Sequence, residues 1–115
     1  MSIFAELNDS KTAKIIYESL PFEGKAHIWG KEIYFEIPCD IDLETDAKEI
    51  VEIGTLAYWP NGNAFCIFFG QTPVSTDEKP RAYSPANIFG KIIGEHSFLE
   101  KIKEGESIKV LRYIE

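Results

Sequence analysis

The 115-residue chain has no apolar run approaching the roughly 20 residues that a membrane-spanning helix takes. Its first residues, Met1-Ser-Ile-Phe-Ala-Glu6, lack the basic segment and long apolar core of a secretory signal. It has only two cysteines, Cys39 and Cys66, too few for a disulfide framework. These absences predict a cytoplasmic protein with reduced thiols. Positive charge is also scarce: 12 Lys and Arg against 19 Asp and Glu leave a formal net charge of -7. Gripping a phosphate backbone takes clustered Lys and Arg, so neither nucleic acid nor a membrane is an expected partner. The acidity is dispersed and serves solubility.

Glycine-rich nucleotide loops are missing as well; Gly62, Gly70, Gly90 and Gly94 are scattered turn glycines. The two histidines, His27 and His96, lie far apart without ligand-like spacing. Asp40, Asp42, Glu44 and Asp46 lack the glycine and terminal bidentate glutamate of a calcium loop, and read as a solvated acidic loop. The expectation is no cofactor and no metal. Catalytic residues and oligomeric state stay unassigned.

What is present is a hydrophobic share of 44%, enough for one packed domain over residues 1–115. The densest stretch is Leu56 to Gly70. Trp59-Pro60-Asn61-Gly62 is turn chemistry, with proline presetting φ and glycine supplying a positive φ. It joins strands expected at Thr55–Trp59 and Ala64–Phe69. In the second, Phe65, Ile67 and Phe69 face one way and Cys66 and Phe68 the other. Both sets are apolar, so this strand is covered on both faces.

Along the chain, Ser2–Leu7 reads as a strand. Asn8, Asp9 and Ser10 offer N-caps for an amphipathic helix over about 10–20, with Ala13, Ile16, Tyr17 and Leu20 as its apolar stripe and Pro21 as its stop. Strands follow at Ala26–Trp29 and Glu32–Ile37 around a Gly30-Lys31 turn. In the latter, Glu32, Tyr34 and Glu36 take one face. Two carboxylates there can serve as acid and base, or coat the solvent side; polar-out alternation favours solvent. Thr45–Ile50 is a candidate helical turn. Gln71–Asn87 is a long polar connection, of a length that is often functional. Ile88–Ile93 is a strand, His96–Ile102 a short helix, and Ser107–Ile114 the last strand. About seven short strands and one helix predict a mainly β domain, with a closed barrel favoured over an open sheet.

Several of these segments together resemble a family. They are Asn8 to Pro21, Trp29-Gly-Lys-Glu-Ile-Tyr-Phe35, Gly54 to Gly70, Thr72-Pro-Val-Ser75 and Asn87-Ile-Phe-Gly-Lys-Ile92. Nearly the whole chain is similar to the small cyclophilin-like proteins of bacteria and archaea, whose function is largely uncharacterised. The resemblance implies a closed cyclophilin-like β-barrel and little about function. True cyclophilins are peptidyl-prolyl isomerases. Matching their two segments to Asn61–Ile67 and Ile88–Ile92 puts alanine at their catalytic-site glutamine (Ala64), cysteine at a pocket phenylalanine (Cys66) and alanine at the pocket histidine (Ala86). The supporting arginine has no counterpart on an earlier strand, the only arginines being Arg81 and Arg112. The resemblance thus implies the fold without the preorganised donors of isomerisation.

Three functions follow as expectations. One is a binding module for a small molecule or short peptide, with a pocket beside the 71–87 loop. Its candidate ligand-binding residues are Tyr58, Trp59, Phe65, Gln71, Thr72, Ser75, Ser84 and Asn87: aromatics at one turn and polar groups in one loop. The second is an isomerase or other enzyme using that pocket. The third is a structural or interaction protein without a ligand, pairing through a strand edge. Cys66 reads as a small core residue. Cys39, after a strand-ending proline, is the more reactive candidate.

Overall fold

Ser10 starts the only α-helix among the described residues, α1 (Lys11–Ser19), its hydroxyl accepting from the Ala13 amide at 3.1 Å. The helix buries Thr12, Ala13 and Ile16. Tyr17, expected on the buried stripe, is exposed, and its ring packs under the Arg112 guanidinium at 4.9 Å. The computed structural model describes residues 1–113, so the expected end of the last strand at residue 114 lies outside the described residues. The strands are β1 (Phe4–Leu7), β2 (Phe22–Lys25), β3 (His27–Trp29), β4 (Glu32–Glu36), β5 (Lys48–Ile50), β6 (Thr55–Trp59), β7 (Ala64–Phe68), β8 (Arg81–Ile93) and β9 (Ser107–Val110). A 3-10 turn at Ser97–Lys101 stands where a short helix was expected.

One sheet runs in the order β1-β8-β6-β7-β4-β3, with β5 added to β8, and every pair in it is antiparallel. β2 and β9 form a separate two-stranded ribbon. The closed barrel expected from the sequence is therefore not formed: β1 and β3 are the free ends of the sheet. The reason lies at Ala26, between β2 and β3. There the backbone bonds turn toward the β9 side, Ala26 N donating to Glu106 O at 2.8 Å and Gly105 N to Ala26 O at 2.7 Å. The ribbon and α1 then cover the core instead of a closing strand, through Phe22, Ile108, Val110 and Ile15.

The central hairpin is as the sequence predicts, with one shift. Pro60–Gly62 form a 3-10 turn, and the left-handed residue is Asn63 (φ 49°), not Gly62. After a tight right-handed turn the chain needs one such residue to rejoin the strand, and asparagine tolerates it. Asn63 also anchors the turn, donating to Cys39 O at 3.1 Å and accepting from Ile37 N at 2.9 Å.

Three other segments depart from expectation. Thr45–Ile50 makes no helical turn; Lys48 and Ile50 pair instead with Ala86 and Arg81. Much of the expected 71–87 loop is strand, because β8 begins at Arg81. Pro85 is tolerated there because the pairing to β5 jumps register across it, a bulge that needs no amide from that residue. β2, carrying Gly24 and two charges in four residues, gives no alternating signal. Gly24 is required, since a Cβ would lie 2.8 Å from the Phe35 ring.

β7 is buried along its whole length, and the two faces of the sheet carry separate clusters. Ile33, Phe35, Leu56, Tyr58, Phe65, Ile67 and Phe89 build the main core with α1. Ala57, Ala64, Cys66 and Phe68 point the other way and meet Val51, Ala82 and Ala86. The first half of β8 and the segment around β5 thus form a second layer over the back of the sheet.

Candidate functional site

The strand register builds a site on that second face. Trp29 of β3 lies opposite Glu32 of β4, Glu32 opposite Phe68 of β7, and Tyr34 opposite Cys66. These side chains share one face because the period of a strand is two. Trp59 ends β6 beside them. Ala82, Tyr83 and Ala86 of β8 come over the top. Together they line a cavity of about 270 Å³. Tyr83 stands edge-on to both indoles, its ring centroid 6.3 Å from Trp29 and 6.2 Å from Trp59. The Trp59 Nε1–H donates to Ser84 Oγ at 2.7 Å, which fixes that indole.

Glu32 was expected on a solvent face and is only 6% exposed. The layer formed by β8 covers it, with the aromatic rings around it. Burial raises its carboxyl pKa to about 7, partly opposed by a hydrogen bond from the Cys66 thiol. None of the ion pairs among the described residues includes Glu32. Cys66 is a core residue as expected, and burial with the neighbouring carboxylate pushes its thiol pKa up. That makes it a poor nucleophile. The thiol donates to Ala64 O at a long 3.8 Å. Cys39 is buried in the main core, so the two free thiols belong to opposite faces.

The residues singled out from the sequence fall in four places. Trp59 lines the cavity and Ser84 holds it. Tyr58 and Phe65 point into the main core. Asn87 is buried in a polar knot: its amide donates to Thr12 Oγ at 3.1 Å and Asp42 O at 2.9 Å, and its oxygen accepts from Glu44 N at 2.8 Å. Thr12 in turn donates to the Glu44 carboxylate. This knot pins the acidic loop to α1 and β8. Gln71, Thr72 and Ser75 bond their own loop: Gln71 Nε2 to Asp77 O at 2.7 Å, Thr72 Oγ1 to Arg81 O at 2.5 Å, Ser75 Oγ to Lys79 O at 2.9 Å. The loop packs on the Gly30 turn, where a Cβ would meet Pro73 at 2.8 Å. It does not line the cavity; the strand that follows it does. Among the described residues no three His, Cys, Asp or Glu side chains gather as a metal site.

Tyr58 shows how firmly the two faces are divided. Its hydroxyl donates to Cys39 O at 2.7 Å and accepts from Ile41 N at 3.2 Å, in full burial. Tyr58→Phe leaves the Ile41 amide unpaired and the Cys39 carbonyl with Asn63 as its one side-chain donor, and the expected loss is about 2 kcal/mol. Chemical denaturation of the two proteins measures it.

The chain is thus a mainly β domain with one capped helix and a cavity on the back of its central sheet. The family model described as Cyclophilin-like matches residues 1–111, and the chain belongs to that family. The solution structure of the hypothetical protein AF2241 from Archaeoglobus fulgidus is similar to it, with 37% identity and a TM-score of 0.79. That similarity covers 95% of this chain and 85% of the archaeal one. No curated protein matches.

Proposed function

We propose that this domain binds a small organic molecule in the cavity beneath β8, in a reducing cytoplasm where Cys39 and Cys66 stay free. The observation that carries this reading is Glu32: a buried carboxyl without an ionic partner among the described residues, opening on a cavity walled by Trp29, Trp59 and Tyr83. Ligand sites are typically apolar concavities with a few placed polar groups. At about 270 Å³ this one suits a small molecule better than a peptide segment. The positions where isomerase residues would fall, Ala64, Cys66 and Ala86, lie on this same face, two of them lining the cavity. The location is shared with that chemistry while its donors are replaced.

A thermal-shift screen of metabolites tests the reading, because a ligand that binds only the native state raises its stability, by about 2.7 kcal/mol at a hundredfold excess over Kd. A compound that raises Tm in the native protein and not in Tyr83→Ala supports it. A broad screen in which nothing raises Tm counts against it, and favours an interaction protein pairing through the free edges of β1 or β3.

Glu32 also favours a second reading, an enzyme of acid–base type, since a carboxyl poised near neutrality transfers protons efficiently. Prolyl isomerisation is not the expected reaction. Ala64 offers no donor, and the Arg81 guanidinium is held by Glu49 at 3.4 Å. A prolyl cis/trans assay at high protein concentration is expected to show no acceleration; catalysis abolished by Arg81→Ala would reverse this.

A further inference from the structure

The cavity's chemistry narrows its ligand further, on the reading that it is a ligand site at all. The one acidic side chain in its lining is the Glu32 carboxyl, 6% exposed, held at the cavity and left out of every ion pair among the described residues. The basic side chains nearest in sequence to the lining residues are engaged elsewhere: Lys31 with Glu100 at 3.1 Å, Arg81 with Glu49 at 3.4 Å. The walls around the carboxyl are ring systems, and an aromatic face carries negative potential that attracts a cation, tryptophan most strongly. A buried carboxylate among such rings repels anions and lacks a counter-charge. One occupant satisfies both. We propose that the cavity takes a small organic cation, an alkylammonium group, seated against the rings of Trp29, Trp59 and Tyr83 that wall it, with Glu32 as its counter-ion.

The protein supplies its own reporter, because its only two tryptophans both line the cavity. Intrinsic fluorescence is titrated with three probes of one shape: choline, its neutral isostere with a quaternary carbon in place of nitrogen, and the carboxylate of that carbon skeleton. Choline is expected to bind saturably, at least about tenfold tighter than the neutral isostere, with the carboxylate weakest. Its affinity rises about tenfold from pH 6 to pH 8, as Glu32, with a pKa of about 7, ionises. The quaternary nitrogen itself does not titrate.

Other titratable groups face this region. They are Cys66 on β7, Tyr34 on β4, Tyr83 on β8, and His27 on β3, whose ring lies 5.1 Å from Tyr34 and bonds Glu104 at 2.7 Å. Glu32→Gln separates them. It is expected to weaken choline at least about tenfold at pH 8, flatten the pH profile and leave the neutral isostere unchanged. Tyr83→Ala, at an exposed position, weakens choline without unfolding the protein.

The failures are distinct. Equal binding of choline and its isostere, unaltered by Glu32→Gln, overturns the cation assignment and leaves small-molecule binding standing. A pH profile that survives Glu32→Gln belongs to another group and removes Glu32 as counter-ion. Silence from all three probes overturns the cation assignment. Silence extended to the metabolite screen removes the ligand site as well.

Discussion

Glu32→Gln is expected to stabilise the ligand-free protein by about 3 kcal/mol at pH 8 and to change little near pH 4. The carboxyl has an ordinary value of 4.5 when unfolded and about 7 in the native state, raised by burial. The native state therefore holds its proton across a range in which the unfolded chain has lost it. The associated stability is fully present below pH 4.5 and is lost as pH rises through about 7. A difference of about 2.5 pH units at 1.36 kcal/mol each gives the figure of about 3 kcal/mol. Glutamine has nearly the same shape and never ionises, so it carries no such penalty above neutrality. Urea unfolding of both proteins from pH 4 to pH 8 should show curves that meet in acid and separate progressively above pH 5. Parallel curves would mean that the carboxyl is solvated in the native state and that the cavity does not isolate it. The same cost explains why a counter-ion matters. A cation bound beside Glu32 recovers part of this penalty, so ligand-induced stabilisation should be larger at pH 8 than at pH 6.

Much of the fold was legible because it follows from local rules. Ser10 capped the helix and Pro60-Asn61-Gly62 turned the hairpin. The two apolar faces of Ala64–Phe68 implied layers on both sides, and both exist. What local rules did not give was pairing between distant segments. Lys48–Ile50 became a strand only because Arg81–Ala86 lies beside it. The open ends of the sheet depend on where Ala26 sends its hydrogen bonds. The site was illegible for the same reason. Polar residues in a loop and aromatics near a turn looked convergent, yet Gln71, Thr72 and Ser75 serve their own loop. One signal in the chain did point to Glu32. If Cys66 and Phe68 are covered, their cross-strand partners on the same face, Tyr34 and Glu32, must be covered too. The sequence shows the alternation in both strands but not which strands are neighbours. Without that pairing, polar-out alternation places Glu32 in water.

The division between faces makes its strongest prediction at Phe65 and Tyr83, two aromatics with opposite duties. Phe65 stacks on Phe35 at 4.9 Å and meets Phe89 edge-on at 5.0 Å and Phe22 at 6.2 Å, beneath α1 in the main core. Phe65→Ala removes the ring from three aromatic partners and leaves a void in a closely packed core. The expected cost is about 4 kcal/mol, within the range of buried Phe→Ala substitutions and raised by the lost ring pairs. Against the 5–15 kcal/mol typical of a domain, that loss populates the unfolded state visibly on mild heating. Phe65→Leu, which refills most of the space, should retain the greater part of the stability. Since Phe65 faces away from the cavity, Phe65→Leu should bind any cavity ligand with unchanged affinity. Tyr83→Ala inverts the pattern: the residue is 71% exposed, so stability moves by less than about 0.5 kcal/mol while binding falls. Denaturation and fluorescence titration on this pair separate the two faces directly. A Phe65→Leu protein that stays folded but loses binding would mean that the core and the cavity are coupled through β7, and that the sheet is not the partition its alternation describes.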